Sequence, residues 1–176
     1  MPIHGLTDRG LAFPEIGSIR KGAKKSQNAP GADLRYFRVE FDAQEQERER
    51  VFRQKYGDRP NEINIILPFN DIEKVWDAWY EAYTAGRLVA RGNGERIVYQ
   101  LDADTGEVKV LGGEPITPQP KDGIVGWYVD GHGARQPIKL KPTGRLKVMI
   151  PELQSLAYLT VHTTSIHDII NISSQD

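Results

Sequence analysis

Four histidines and no cysteine set the limits of the chemistry open to this chain. Without a thiol there is no disulfide, no thiolate nucleophile and no cysteine-ligated zinc. His162 and His167 are separated by five positions across an expected strand-to-helix junction, which is not the spacing of a helical metal pair. His132 lies in the turn DGHG, His4 stands alone near the start, and no HExxH-type motif occurs. No metal and no cofactor are expected. For nucleophilic catalysis the sequence offers neither a GxSxG elbow nor a Ser–Lys signature. The glycine clusters GNG and LGG lack the spacing of a phosphate loop, and PTGRLK reads as a turn that opens a strand. Asp102 and Asp104 fall in a turn, and Glu45, Glu47 and Glu49 fall on a solvated helix face. The expectation is a protein that is not an enzyme.

The residues that do cluster are basic. Arg20, Lys21, Lys24 and Lys25 follow a first strand, and Arg87, Arg91 and Arg96 bracket a turn further on. Lys139, Lys141, Arg145 and Lys147 surround the sequence Pro-Thr-Gly. Asp42, Glu45, Glu47 and Glu49 gather acids elsewhere, so a local phosphate-contacting face is compatible with a net charge of −1. That net charge gives no global attraction to nucleic acid or anionic lipid. Tyr99, Trp127 and Tyr128 lie on expected strands, where they either stack on bases or pack across strands. The bland reading of the basic groups is ordinary loop solubility, and it stands beside the nucleic-acid reading.

Positioning these residues requires elements, and the sequence outlines them. The chain has 176 residues, 39% of them hydrophobic and 27% charged, which is enough for one globular domain. IGSIRKG reads as a short strand. LRYFRVEF alternates, with Phe37, Val39 and Phe41 on one face and Tyr36 and Arg38 on the other. Asp42 is placed to cap a helix over 43–56 that Gly57 ends. NEINIILPF has an unbroken apolar centre and is expected to be a central strand covered on both faces, closed by Pro68. DIEKVWDAWYEAYTAGR carries Ile72, Val75, Trp76, Trp79, Tyr80 and Tyr83 at helical spacing, with Asp71 as N-cap and Gly86 as C-cap. It predicts a second helix over 71–86 that buries Trp76 and Trp79. From Leu88 onward LVAR, ERIVYQLD, EVKVLG, GIVGWYVDGHG, RQPIKLKPTG, RLKVMIP and LAYLTVHTT read as strands, and SIHDIINI opens a helix capped by Ser165.

The fold expected is α+β: a mostly antiparallel, β-rich sheet covered by two main helices, with a β-meander C-terminal half. A single domain over 1–176 is expected, with a division into a 1–112 α/β lobe and a 121–176 β-rich lobe as the alternative. The chain is expected either to end compactly or to be the N-terminal part of a longer protein. No leader pattern and no apolar run of spanning length occur, so the expectation is a cytoplasmic protein with no membrane partner.

Five motifs, read in order, carry a resemblance: IGSIRKG (16–22), LRYFRVEF (34–41), FRQKYGDRPNEINIILPF (52–69), DAWYEAYTAGRLVARGNGE (77–95) and TGRLKVMIPELQSLAYLTVHT (143–163). Together the chain resembles the recombination directionality factor-like proteins of phages that use large serine integrases. Members of that family carry cysteines after the aromatic segment and extend further at the C-terminus. Here no cysteine follows, so no metal site is carried over. The resemblance implies a partner of a serine integrase or other recombination protein. It would bind the integrase–DNA complex in the bacterial host, shift its preference from insertion to excision, and perform no chemistry itself. The acidic stretch Asp42–Glu49 and the meander Leu88–Gly112 are candidate contacts. The alternative is a single-stranded DNA- or RNA-binding protein of phage replication or recombination, and a hydrolase such as a nuclease is a third class.

Overall fold

The structure is a computed structural model and describes residues 13–24, 33–84, 86–93, 96–101, 108–109, 114–115, 117–119, 123–130 and 132–165. In chain order its elements are β1 (Glu15–Gly22), β2 (Asp33–Phe41), α1 (Gln46–Tyr56), α2 (Ile72–Val75), β3 (Trp76–Thr84), β4 (Arg87–Gly92), β5 (Arg96–Leu101), β6 (Val108–Lys109), β7 (Glu114–Pro115), β8 (Thr117–Gln119), β9 (Gly123–Val129), β10 (Arg135–Val148) and β11 (Tyr158–Thr163). A 3-10 turn, Pro151–Leu153, joins β10 to β11. The fold is α+β, strand-rich and mostly antiparallel, as the order of patterns predicts. The chain divides into two compact units, 1–76 with 145–162 and 77–144 with 163–176.

In the first unit the strand order is β2–β1–β11–β10, the last contributing its end from Arg145. β1 pairs antiparallel with β2 and parallel with β11. The alternation of LRYFRVEF is realised: Val39 is buried and Phe37 and Phe41 pack against the same core. That core joins Ile16, Ile19, Val39, Phe52, Val148, Ile150, Ala157 and Leu159. Phe52 supplies the helix's contribution, fully buried, with its ring 5.5 Å from Phe41 and 4.9 Å from Tyr56. Gly17 must be glycine for a different reason: a Cβ there would sit 2.3 Å from the Glu40 carbonyl oxygen across the β1–β2 ladder.

Helix α1 starts later than the sequence predicts. Glu45 occupies the N-cap without a side-chain cap bond, and Asp42 enters through its carbonyl, which accepts the Glu45 N–H at 2.9 Å. The end is as read: Gly57, at φ 73°, donates its N–H to the Arg53 carbonyl. The acids of this helix are matched by its own arginines, with Glu45–Arg48, Glu47–Arg50 and Glu49–Arg53 ion pairs. The acidic stretch is therefore charge-balanced on its own surface.

Two of the longer expected elements form differently. The run NEINIILPF is not a covered central strand. Among the described residues only Ile66 bridges, to Met149, and Ile65, Ile66 and Leu67 are about half exposed, at 45%, 52% and 48%. An apolar run shows that burial would be favourable, not that a neighbouring strand is available to supply it.

The second helix also fails beyond its first turn. Asp71 caps it as predicted, accepting the Glu73 N–H at 3.1 Å, but the helix ends at Val75 and Trp76–Thr84 becomes strand β3. Trp76 and Trp79 are consequently only partly buried. The spacing of Trp and Tyr fits both periods here, and aromatic and threonine side chains favour strands once a partner is present. The partner is β4, in antiparallel register Tyr80↔Gly92, Glu81↔Arg91 and Ala82↔Ala90. Gly86, at φ 77°, serves the connection between these strands and caps no helix.

In the second unit the order is β3–β4–β5–β6, with β7 also on β5 and β9 between β8 and β10. Ala82, Val89, Ala90 and Leu140 form its core, with Tyr80 and Ile138 against them. The expected turn at Pro142–Gly144 is absent. β10 runs unbroken from Arg135 to Val148, and Gly144 is buried within it. The helix expected from Ser165 lies outside the described residues.

Candidate nucleic-acid interface

The two faces of the first unit's sheet differ sharply. One packs on the core; on the other, cross-strand register lines up polar side chains. Arg20 of β1 stands opposite Arg38 of β2 and opposite His162 of β11, so Arg38, Arg20 and His162 form one row across three strands. The next row on that face is Glu40, Ser18 and Thr160. This follows from the period-two alternation of strands: Ile19, between Ser18 and Arg20, pairs with Val39 and Val161 towards the core.

Hydrogen bonds fix part of the row. Arg38 donates through Nε to the Gly22 carbonyl at 3.0 Å and through a terminal nitrogen to Glu40 at 2.9 Å. Lys24 reaches the same carboxylate at 3.0 Å. The Lys24 hydrogen bond, with the Arg38 and Arg20 charges nearby, holds the Glu40 carboxyl below its ordinary value. Three cations thus act on one carboxylate. Towards the other end of the face, Thr160 Oγ1 donates to Glu15 at 2.7 Å, and the Lys147 ammonium lies 5.4 Å from the Tyr158 ring centroid. Tyr36, two positions from Arg38 on β2, has the Arg59 guanidinium 5.4 Å from its ring centroid.

Of the residues singled out in the sequence, Arg20, Lys24 and Lys147 come to this face with these neighbours. Lys21 is exposed on β1 beside an irregularity of the β1–β2 ladder, and Arg145 lies two positions before Lys147 on β10. Lys25 lies outside the described residues. Arg38, His162, Tyr36 and Arg59 were missed. The signal for Arg38 was present, since alternation put it on the polar side of its strand, but its neighbours depend on which strands pair.

The second basic group falls in the other unit, on β4 and β5. Arg87 begins β4 and is exposed. Arg91 is engaged by its own strand partner: its Nε and a terminal nitrogen donate to Glu81 Oε2 at 2.9 and 2.6 Å, with its guanidinium 5.3 Å from the Trp79 ring centroid. Tyr83 donates its hydroxyl to the other Glu81 oxygen at 3.1 Å. Arg96 stands opposite Pro115, and Tyr99 opposite Arg91. Between β9 and β10, Trp127 pairs with Pro137 and Val125 with Lys139, whereas Tyr128 pairs with Gln136.

Among the described residues no group of three or more His, Cys, Asp or Glu side chains could hold a metal ion. His132 is exposed in a turn organised by Asp130, which accepts the His132 and Ala134 N–H groups at 3.0 and 2.9 Å and the Gln136 amide at 3.0 Å. Among the described residues no helix is long and apolar enough to cross a membrane.

The protein is thus a strand-rich α+β fold whose first unit aligns Arg38, Arg20 and His162 across three strands. Residues 16–175 match the sequence profile of the Gp3-like family, described as recombination directionality factor-like, and the chain belongs to that family. No curated protein and no solved structure matches it.

Proposed function

We propose that this chain is an accessory factor of phage DNA recombination that binds a serine integrase–DNA complex and biases it from insertion towards excision. The family membership supports the accessory role. The row Arg38–Arg20–His162, flanked by Lys24, is the observation that carries the nucleic-acid contact. Such a row meets phosphates at strand spacing and releases counterions on binding. The factor acts without a catalytic step: it changes the outcome by binding one state of the complex more tightly than the other. Its place of action is the host cytoplasm.

The test is a mobility-shift series with integrase and att-site DNA across a range of salt. The expected result is an integrase-dependent slower complex whose formation weakens as salt rises. Arg20→Glu with Lys24→Glu should flatten the logarithmic salt slope by about two. A complex indifferent to salt and to this double change would sink the phosphate-contact reading. A second reading, single-stranded nucleic-acid binding, draws on β9, which carries Trp127, pairing with β10, which carries Lys139 and Lys141. A shift of single-stranded oligonucleotide without integrase, lost in Lys139→Glu with Lys141→Glu, would favour it.

A further inference from the structure

The segment Asn64–Leu67 is a short sheet edge displayed to solvent and hydrogen-bonded from behind. Ile66 donates its N–H to the Met149 carbonyl at 2.9 Å and accepts the Met149 N–H at 2.8 Å. Just before it, the Asn64 N–H donates to the Tyr56 hydroxyl at 3.1 Å, and that hydroxyl donates to Glu152 at 2.7 Å. Because Ile66 turns both its backbone groups towards Met149, those of Ile65 and Leu67 face the other way. Among the described residues they meet no hydrogen-bond partner. Three branched aliphatic side chains lie along the same edge, each about half exposed. An unpaired edge of this kind is a template for another strand.

We propose that the strand added here is the same segment of a second copy of this chain, in antiparallel register about a twofold axis at Ile66. The sequence is self-complementary in that register. Ile65 pairs with the partner copy's Leu67 through both outward-facing amides, and Leu67 pairs likewise with the partner copy's Ile65. Ile66 meets its own counterpart at the axis. Pro68, which has no N–H, falls on the inward side with Asn64 and Ile66, so the new ladder never calls on its nitrogen. From Ile63 to Asn70 there is no charged residue, and Glu62 is set opposite the neutral Asn70, so no like charges oppose each other. A closed twofold pairing also covers the edge completely, where an open one would propagate. The surface joined is small, so the dimer exchanges with monomer and depends on concentration.

The experiment uses the full chain, which contains no cysteine, so a single introduced thiol reports unambiguously. At the centre of a non-hydrogen-bonded antiparallel pair the Cα atoms are about 4.5 Å apart, within disulfide reach. Ile66→Cys under mild oxidation is expected to give a covalent dimer at least tenfold faster than Asn70→Cys. Sedimentation equilibrium of the unaltered chain should show mass rising towards twice the monomer with concentration, and Ile66→Lys, checked for native circular dichroism, should remain monomeric. A mass that stays monomeric throughout, equal cross-linking at the two positions, or a dimer that survives Ile66→Lys would overturn the proposal. So would a monomer whose Ile66→Lys variant loses integrase binding instead, which would assign the edge to the partner protein.

Discussion

Glu81 and Arg91 face each other across the β3–β4 ladder, and the carboxylate is buried to 2% exposure while the guanidinium donates to it twice, at 2.9 and 2.6 Å. The pair sits between the Trp79 ring and the Tyr83 hydroxyl. An acid this deep in a strand is stable only with a partner, so the register of β3 on β4 and the ion pair require each other.

Removing one partner should therefore be costly. Arg91→Ala is expected to destabilise the protein by roughly 3 kcal/mol, the low end for a broken buried pair because the arginine keeps some solvent contact. Urea unfolding would check it, and a loss under about 1 kcal/mol would contradict the structural role. Binding defects in Arg91 variants would be entangled with this loss, which is why the exposed Arg20 and Lys24 are the better reporters of phosphate contact.

Phe52 anchors α1 to the sheet, fully buried between Phe41 and Tyr56. Phe52→Ala should cost about 3–5 kcal/mol in denaturant unfolding. Trp76→Ala, at a site only partly buried, should cost distinctly less; equal losses would mean that Trp76 is as deeply packed as its helical spacing predicts.

Gly17→Ala should be destabilising although the added group is a single methyl. Its Cβ would meet the Glu40 carbonyl oxygen at 2.3 Å, and backbone cannot move aside as a side chain can. Overpacking of this kind costs roughly 1–3 kcal/mol. An unchanged melting temperature in thermal circular dichroism would show that β1 and β2 are not this close.

The Tyr56–Glu152 hydrogen bond should give stability that depends on pH. The bond from Tyr56 holds the Glu152 carboxyl below its ordinary value of 4.5, against the opposing effect of burial. A carboxyl depressed on folding stabilises the folded chain above its unfolded value, and that contribution is lost as pH falls through the folded one. Tyr56→Phe should thus cost on the order of 1 kcal/mol at neutral pH. The gap between variant and parent should narrow below pH 4.5. A gap that is constant from neutral to acid pH would count against the bond.

Strand β2 was legible in the sequence because its information is local: Phe37, Val39 and Phe41 alternate with Tyr36 and Arg38, and either face can be read without knowing the neighbour. The Gly57 stop of α1 is local in the same sense, since it needs only a backbone conformation that glycine adopts freely. The family, too, was legible, because it rests on the order of motifs along the chain. Tertiary structure decided the rest. Trp76–Thr84 satisfies helical and strand spacing alike, and the register with Arg87–Gly92 selected the strand. Ile65–Leu67 has the composition of a buried strand, yet among the described residues its only ladder contact is the Ile66–Met149 bridge, and its side chains stay at the surface. Arg20, Arg38 and His162 become one row only when β1 takes β2 on one side and β11 on the other. Hydrophobicity and charge belong to residues and can be read in one dimension, whereas which strand pairs with which depends on contacts between residues far apart in the chain.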